Sequence, residues 1–271
     1  MPEFTHDELK DIQGTILSGF AHLPYASYLF LQIKDAAKVK PWLEKITSQI
    51  TTGEPWDKSS EGARQKPPVT LNLGFTYPAF EALGLPEETL LSFAREFRFG
   101  VAARSKTLGD TGASAPEHWE VGGPGTEAIH IVLVLNAADE AALAQFREQQ
   151  RQLLKVTDGG LVEVNEQHGH RPPSEKEAFG FLDGISQPKI QRTPGYPEPN
   201  QWVIRTGEFI LGYLNEYKEY PLSPGLAAKN DPDNLLPPFP ENEIPEHKDF
   251  GRNGSYMVYR RRKDMQPKKF L

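Results

Sequence analysis

The chain has 271 residues, 38% of them hydrophobic and 25% charged, which suits a soluble globular protein of one large domain or two ordinary ones. A net charge of -7 argues against nucleic acid as the main partner, and no apolar run approaches membrane-spanning length. Without cysteine there is no disulfide, thiolate metal site or cysteine nucleophile, and the acidic opening "MPEFTHDELKDIQ" lacks a basic-then-apolar signal pattern, so a cytoplasmic product is expected.

The stretch "ASYLFLQI" (26–33) has the β-branched and aromatic content of a buried strand. Residues 36–50 place Val39, Leu43, Ile46 and Ile50 at helical spacing, with Pro41 tolerable only in the first turn. A second strand follows at 68–75, then a short helix from Tyr77 ended by Gly84, then a helix over 86–97 that begins on Pro86. Residues 98–128 are rich in Gly, Ser and Ala without a period and read as a long loop, a kind that is usually functional. "AIHIVLVLNA" (128–137) is the most strand-like segment. Residues 139–154 form an amphipathic helix with Asp139 as N-cap, and 159–170 form a strand.

Two strand–helix–strand units in succession predict an α+β fold: a ferredoxin-like antiparallel sheet with helices on one face. After residue 190 the composition turns Pro-rich. "GEFILGYLNEY" (207–217) and "NGSYMVYRRR" (253–262) read as strands around a Pro-rich loop over 218–250. The expected division is therefore 1–195, carrying the complete sheet, and 196–271, the start of an incomplete second ferredoxin-like half.

One carboxylate stands out. "FGFLDGISQP" holds Asp183 before Gly184, directly after an aromatic–glycine–aromatic run. Asp-Gly alone is a common turn former. The wider run, Phe179 to Pro188, resembles the GxxDG signature of the dye-decolorizing haem peroxidases, in the "DGISQP" form of their larger fungal-like branch. Further motifs agree in order. "DIQGTIL" (11–17), "VTLNLGFTYPAFEALGL" (69–85) and the loop over 97–123, with Arg104, Leu108-Gly109-Asp110, Trp119 and Gly122-Gly123, are similar to that family. So are "GEFILGYLNEY" and "DFGRNGSYMVYRR".

The resemblance implies heme as cofactor, with hydrogen peroxide and an aromatic reducing substrate, a bulky phenol or dye, as partners. Peroxide cleavage needs a proton moved from one peroxide oxygen to the other by a positioned base. A carboxylate with a reference pKa of about 4 does this in acid. By resemblance Asp183 is that acid/base, and Gly184, Ile185, Ser186 and Gln187 line the same face of the cofactor, the glycines allowing close approach of the backbone. The family also uses a proximal histidine and a distal arginine downstream. Here the one histidine after Asp183 is His247, in a loop context that reads as solvent-facing, and Arg205, Arg252 and Arg260 to Arg262 lie outside the matching context. Activity is thus expected to need a second polypeptide that completes the fold. The other reading is a truncated homologue, haem-free or weakly haem-binding, that acts as a binding protein through its exposed strand edges.

Other candidates read as structural. His168 and His170 have an i, i+2 spacing without a third ligand, and His130 sits within an apolar strand. "GGPG" (122–125) lacks the strand and helix context of a phosphate loop, and the basic run over 260–269 reads as a solvated surface. Trp56 and Trp119 read as packing residues that could also serve as oxidation sites.

Overall fold

The structure, a computed structural model, describes residues 2–57, 64–176, 180–182, 187–195, 197, 199–242 and 244–260. Two short N-terminal helices, α1 (His6–Asp11) and α2 (Gly14–Leu17), precede the sheet. Thr5 caps α1 in a reciprocal box with Glu8, which satisfies two orphan amides.

The first unit runs β1 (Tyr25–Ile33), α3 (Ala36–Thr47) and β2 (Val69–Phe75). Pro41 lies in the second turn of α3, not the first, and deprives the Ala37 carbonyl of its helical donor. The helix forms regardless because Val39, Trp42 and Ile46 are fully buried and Asp35 caps its start. The short α4 (Tyr77–Ala82) then ends before Gly84, whose φ of +79° suits glycine.

Residues 86–108 depart from the sequence expectation. The single helix over 86–97 is two: α5 (Glu87–Ser92) stops where Phe93 turns extended, and α6 (Arg95–Ala103) starts afresh. The first part of the expected loop is helical too, through α6 and α7 (Ser105–Leu108). Gly100, at φ +66°, kinks α6 and hides its period from a sequence window.

The second unit runs β3 (Ile131–Ala137), α8 (Glu140–Leu154) and β4 (Leu161–His170), with Asp139 capping α8 through the Ala142 amide at 2.8 Å. The sheet order is β2-β3-β1-β4 and every pairing is antiparallel, which is the ferredoxin-like arrangement. Strand periodicity sorts the side chains. Leu29, Leu31, Leu71, Leu133 and Leu135 point to α3, α4 and α8 and form the main core. Tyr28, Phe30, Val132, Val134 and Val164 occupy the opposite face, where Tyr259 packs on them.

Beyond residue 190 the described residues hold only short pairs. β5 (Lys189–Ile190) runs parallel to β6 (Val203–Ile204), and β7 (Gly225–Ala227) pairs antiparallel with β8 (His247–Asp249). The expected strand over 207–217 is absent. Its backbone instead folds on itself, with the Phe209 and Ile210 amides bonding to the Thr206 carbonyl and Gly212 at φ +86°. The two glycines and these local bonds override its β-rich composition. Residues 254–260 of the other expected strand carry no ladder, and 261–262 lie outside the described residues. An apolar cluster ties this region to the N-terminus: Phe4, Leu9 and Ile12 pack with Ile190, Ile210 and Tyr213.

Candidate functional site

Described residues lie on both sides of the Asp183 segment. On the near side Lys176 and Leu182 form an antiparallel bridge, and Gly180 takes φ +86°, a conformation that favours glycine. On the far side the Gln187 carbonyl accepts from Gln201 Nε2 at 2.9 Å, and the chain then enters β5, where the Lys189 amide bonds to the Trp202 carbonyl at 2.7 Å. Asp183, Gly184, Ile185 and Ser186 lie outside the described residues. Gln187 is described and exposed. Large apolar side chains face solvent on both flanks: Phe181 is 72% exposed and Trp202 81%. Apolar surface beside such a loop suits contact with a large apolar group or another protein surface.

The histidines have identifiable occupations. His130 accepts the Ile33 amide on Nδ1 at 3.1 Å, at the end of the central β1–β3 pair, and burial holds its pKa below the usual imidazole range. His168 lies 3.8 Å from Glu166, and His170 stacks on Tyr25 at 4.5 Å. His247 departs from expectation. It sits on β8 and is half-buried, with Nδ1 sealed from solvent, because the loop around it pairs with β7. Among the described residues no group of three or more His, Asp or Glu side chains could hold a metal ion.

The arginines are likewise engaged. Arg205 lies 3.7 Å from Glu216, Arg260 pairs with the buried Asp110, and Arg252 donates to the Gly212 carbonyl. Arg261 and Arg262 lie outside the described residues. Trp119 donates to the Ser114 carbonyl at 2.8 Å, Trp56 packs on His22, and neither belongs to the main core; the buried tryptophan is Trp42. His130, His168, His170 and His247 are thus placed by the sheets and their neighbours, and Asp183, the residue that the resemblance sets beside heme, lies outside the described residues.

Two arrangements went unread in the sequence. Glu166 accepts from Ser27 Oγ at 2.7 Å, Arg151 Nη2 at 2.8 Å and Arg147 Nη1 at 3.0 Å, while Arg151 also grips Glu163. Burial alone would raise the Glu166 pKa; the Ser27 and Arg151 bonds outweigh it and hold the carboxyl below its usual range. A bulge opposite Phe30 and Leu31 puts both glutamates on the α8 side, which strict alternation would forbid. The second is a cavity beside Tyr213, lined by Arg192 and Arg252. Its one sequence signal was the pair of glycines that bracket "EFIL".

Comparison with known proteins agrees with this fold. The family model described as the DyP dimeric alpha+beta barrel domain matches residues 11–172. A dye-decolorizing peroxidase of Exidia glandulosa is 31% identical over 210 residues, covering 76% of this chain and 39% of that protein. The dye-decolorizing peroxidase msp1 of Mycetinis scorodonius is 25% identical over 270 residues, covering 97% of this chain and 45% of its own length. Among solved structures, a dye-decolorizing peroxidase variant in complex with cyanide superposes with a TM-score of 0.63 at 26% identity, covering 79% of this chain and 46% of the other. The chain thus spans less than half the length of these relatives. With a family model matched over residues 11–172 and a relative 31% identical over 76% of this chain, the chain belongs to the dye-decolorizing peroxidase family.

Proposed function

We propose that this chain is the GxxDG-bearing part of a haem peroxidase that oxidises bulky phenols or dyes with hydrogen peroxide. Asp183 is the acid/base that moves the peroxide proton. Heme, when bound, supplies the two-electron reduction of peroxide. The Lys176–Leu182 bridge and the Gln187–Gln201 bond, on either side of the Asp183 segment, support this reading. Gly184, Ile185, Ser186 and Gln187 line the same face as Asp183. The proximal histidine and distal arginine come from polypeptide outside these 271 residues.

The single observation that supports this reading is the conjunction of the GxxDG run with a family match over residues 11–172. Residues 1–195 and 196–271 are proposed as the two parts of the chain, the second completed by that further polypeptide. The test is complementation. The purified chain is mixed with hemin and peroxide, with and without a separately expressed C-terminal half of a related dye-decolorizing peroxidase. Turnover of a phenol only in the complemented mixture is expected. Full turnover by the chain alone would contradict the proposed division of ligands, and no turnover in either mixture would contradict the peroxidase reading.

A further inference from the structure

Between the N-terminal arm and the 206–214 turn lies a cavity of about 340 Å³. Its volume is at the small end of the range for ligand cavities, about 300–1,000 Å³. It holds one aromatic ring with substituents and is too small for a porphyrin. Two guanidinium groups reach its wall, and they differ in state. Arg192 is already neutralised: Nη2 bonds both Glu8 carboxylate oxygens, at 3.0 and 2.9 Å, and Nε bonds the Pro2 carbonyl at 3.2 Å. Arg252 has no carboxylate within 4 Å among the described residues. It lies 4.1 Å over the Tyr213 ring and spends Nη1 on the Gly212 carbonyl.

That geometry is fixed by packing. A Cβ on Gly212 would lie 2.4 Å from Arg252 Cδ and 3.1 Å from Asp249 Oδ2, so only glycine leaves room for the arginine. Tyr213 is itself pinned, with its hydroxyl donating to Asn253 Oδ1 at 2.7 Å. Stacking strips water from one face of the Arg252 guanidinium and leaves its outer N–H groups for an acceptor. Asp249, below Gly212, is fully buried and bonds Ser223 and Gly251 through Oδ1. The remaining wall is mostly apolar, with Leu214 and Pro240, and Glu241 stands at its rim.

We propose that this cavity binds a small aromatic monocarboxylate, with the carboxylate on Arg252 and the ring along Leu214 and Pro240. Burial pushes the Asp249 carboxyl toward its neutral form, so it offsets little of the Arg252 charge, which selects an anion. Glu241 at the rim disfavours a second negative charge. The apolar wall rewards a ring over a hydrated inorganic ion. The assignment does not rest on the peroxidase reading.

Isothermal titration calorimetry of the intact chain at pH 7 tests it, with benzoate, benzyl alcohol and inorganic phosphate as probes. Benzoate is expected to bind saturably, with benzyl alcohol and phosphate each weaker by about tenfold or more, the scale of one charge-assisted bond. Arg252→Gln should weaken benzoate by about tenfold, and Glu241→Gln should tighten it by about threefold. No saturable benzoate heat, phosphate binding as tightly as benzoate, or unchanged affinity in Arg252→Gln would overturn the proposal. Should Arg252→Gln fail to fold, the exposed Glu241→Gln decides: an affinity that is unchanged or lower contradicts it.

Discussion

Glu166 joins two strands and a helix through one carboxylate. It gathers Ser27 from β1 and two arginines from α8 onto one carboxylate of β4. Its folded pKa is depressed, so the stabilisation it gives is present above the unfolded value and lost as pH falls through the folded one. Glu166→Gln should therefore cost about 1–3 kcal/mol at pH 7, the scale of lost hydrogen bonds to a charged group. The gap to the unaltered protein should narrow progressively below the ordinary glutamate value of 4.5. Urea unfolding at a series of pH values checks this. A gap that stays constant from pH 7 to pH 3 would mean that the ion network contributes nothing specific.

At the scale of elements, the 254–260 segment is held to the sheet without a ladder. Tyr259 sits 5.0 Å from the Phe30 ring and 5.6 Å from Tyr28, and Arg260 reaches Asp110 in the turn after α7. Asp110 is 5% exposed, so this pair works in a partly dry setting. Asp110→Asn should speed limited proteolysis within 256–259 by about tenfold while β1 and β3 stay protected from hydrogen exchange. Equal cleavage rates in both proteins would show that aromatic packing alone seats the segment. Elements of this kind explain what the sequence could and could not disclose. The four long strands, α3 and α8 were legible because long apolar or helically spaced runs feed the core, and the one bulge in β4 does not break its run. The break in the helix expected over 86–97 and the helical run on to residue 108 were not, since Gly100 and the extended Phe93 interrupt the period that a window needs. "GEFILGYLNEY" misled for the opposite reason: its composition is that of a strand, while its glycines serve a turn. His247 looked solvent-facing because the β7–β8 pairing that half-buries it joins residues about twenty apart.

At the scale of the molecule, the main core lies within residues 25–161, whereas α1 takes part of its packing from Ile210 and Tyr213. A fragment of residues 1–195 should unfold cooperatively on heating, carried by the sheet and its helices. Its first 17 residues should be protease-sensitive, because two of their three apolar partners, Ile210 and Tyr213, are gone. A molten product would contradict the division at 195. No helix among the described residues is long and apolar enough to cross a membrane. The site was legible in a different way from the fold. The motif points to Asp183 through resemblance alone, and the contacts of the described residues beside it, Lys176 with Leu182 and Gln187 with Gln201, have no period or composition that a sequence could show.

The central claim is that Asp183 moves the peroxide proton, and one measurement bears on it most directly. In the complemented, haem-loaded protein, stopped-flow mixing with hydrogen peroxide follows the first spectral change at the Soret band. Asp183→Asn keeps the size of the side chain but cannot take the proton. The account predicts an unchanged resting Soret band and a first step slowed about a hundredfold or more, the usual scale for a general base. An unaltered rate in Asp183→Asn would contradict it and assign the proton to another group or to water.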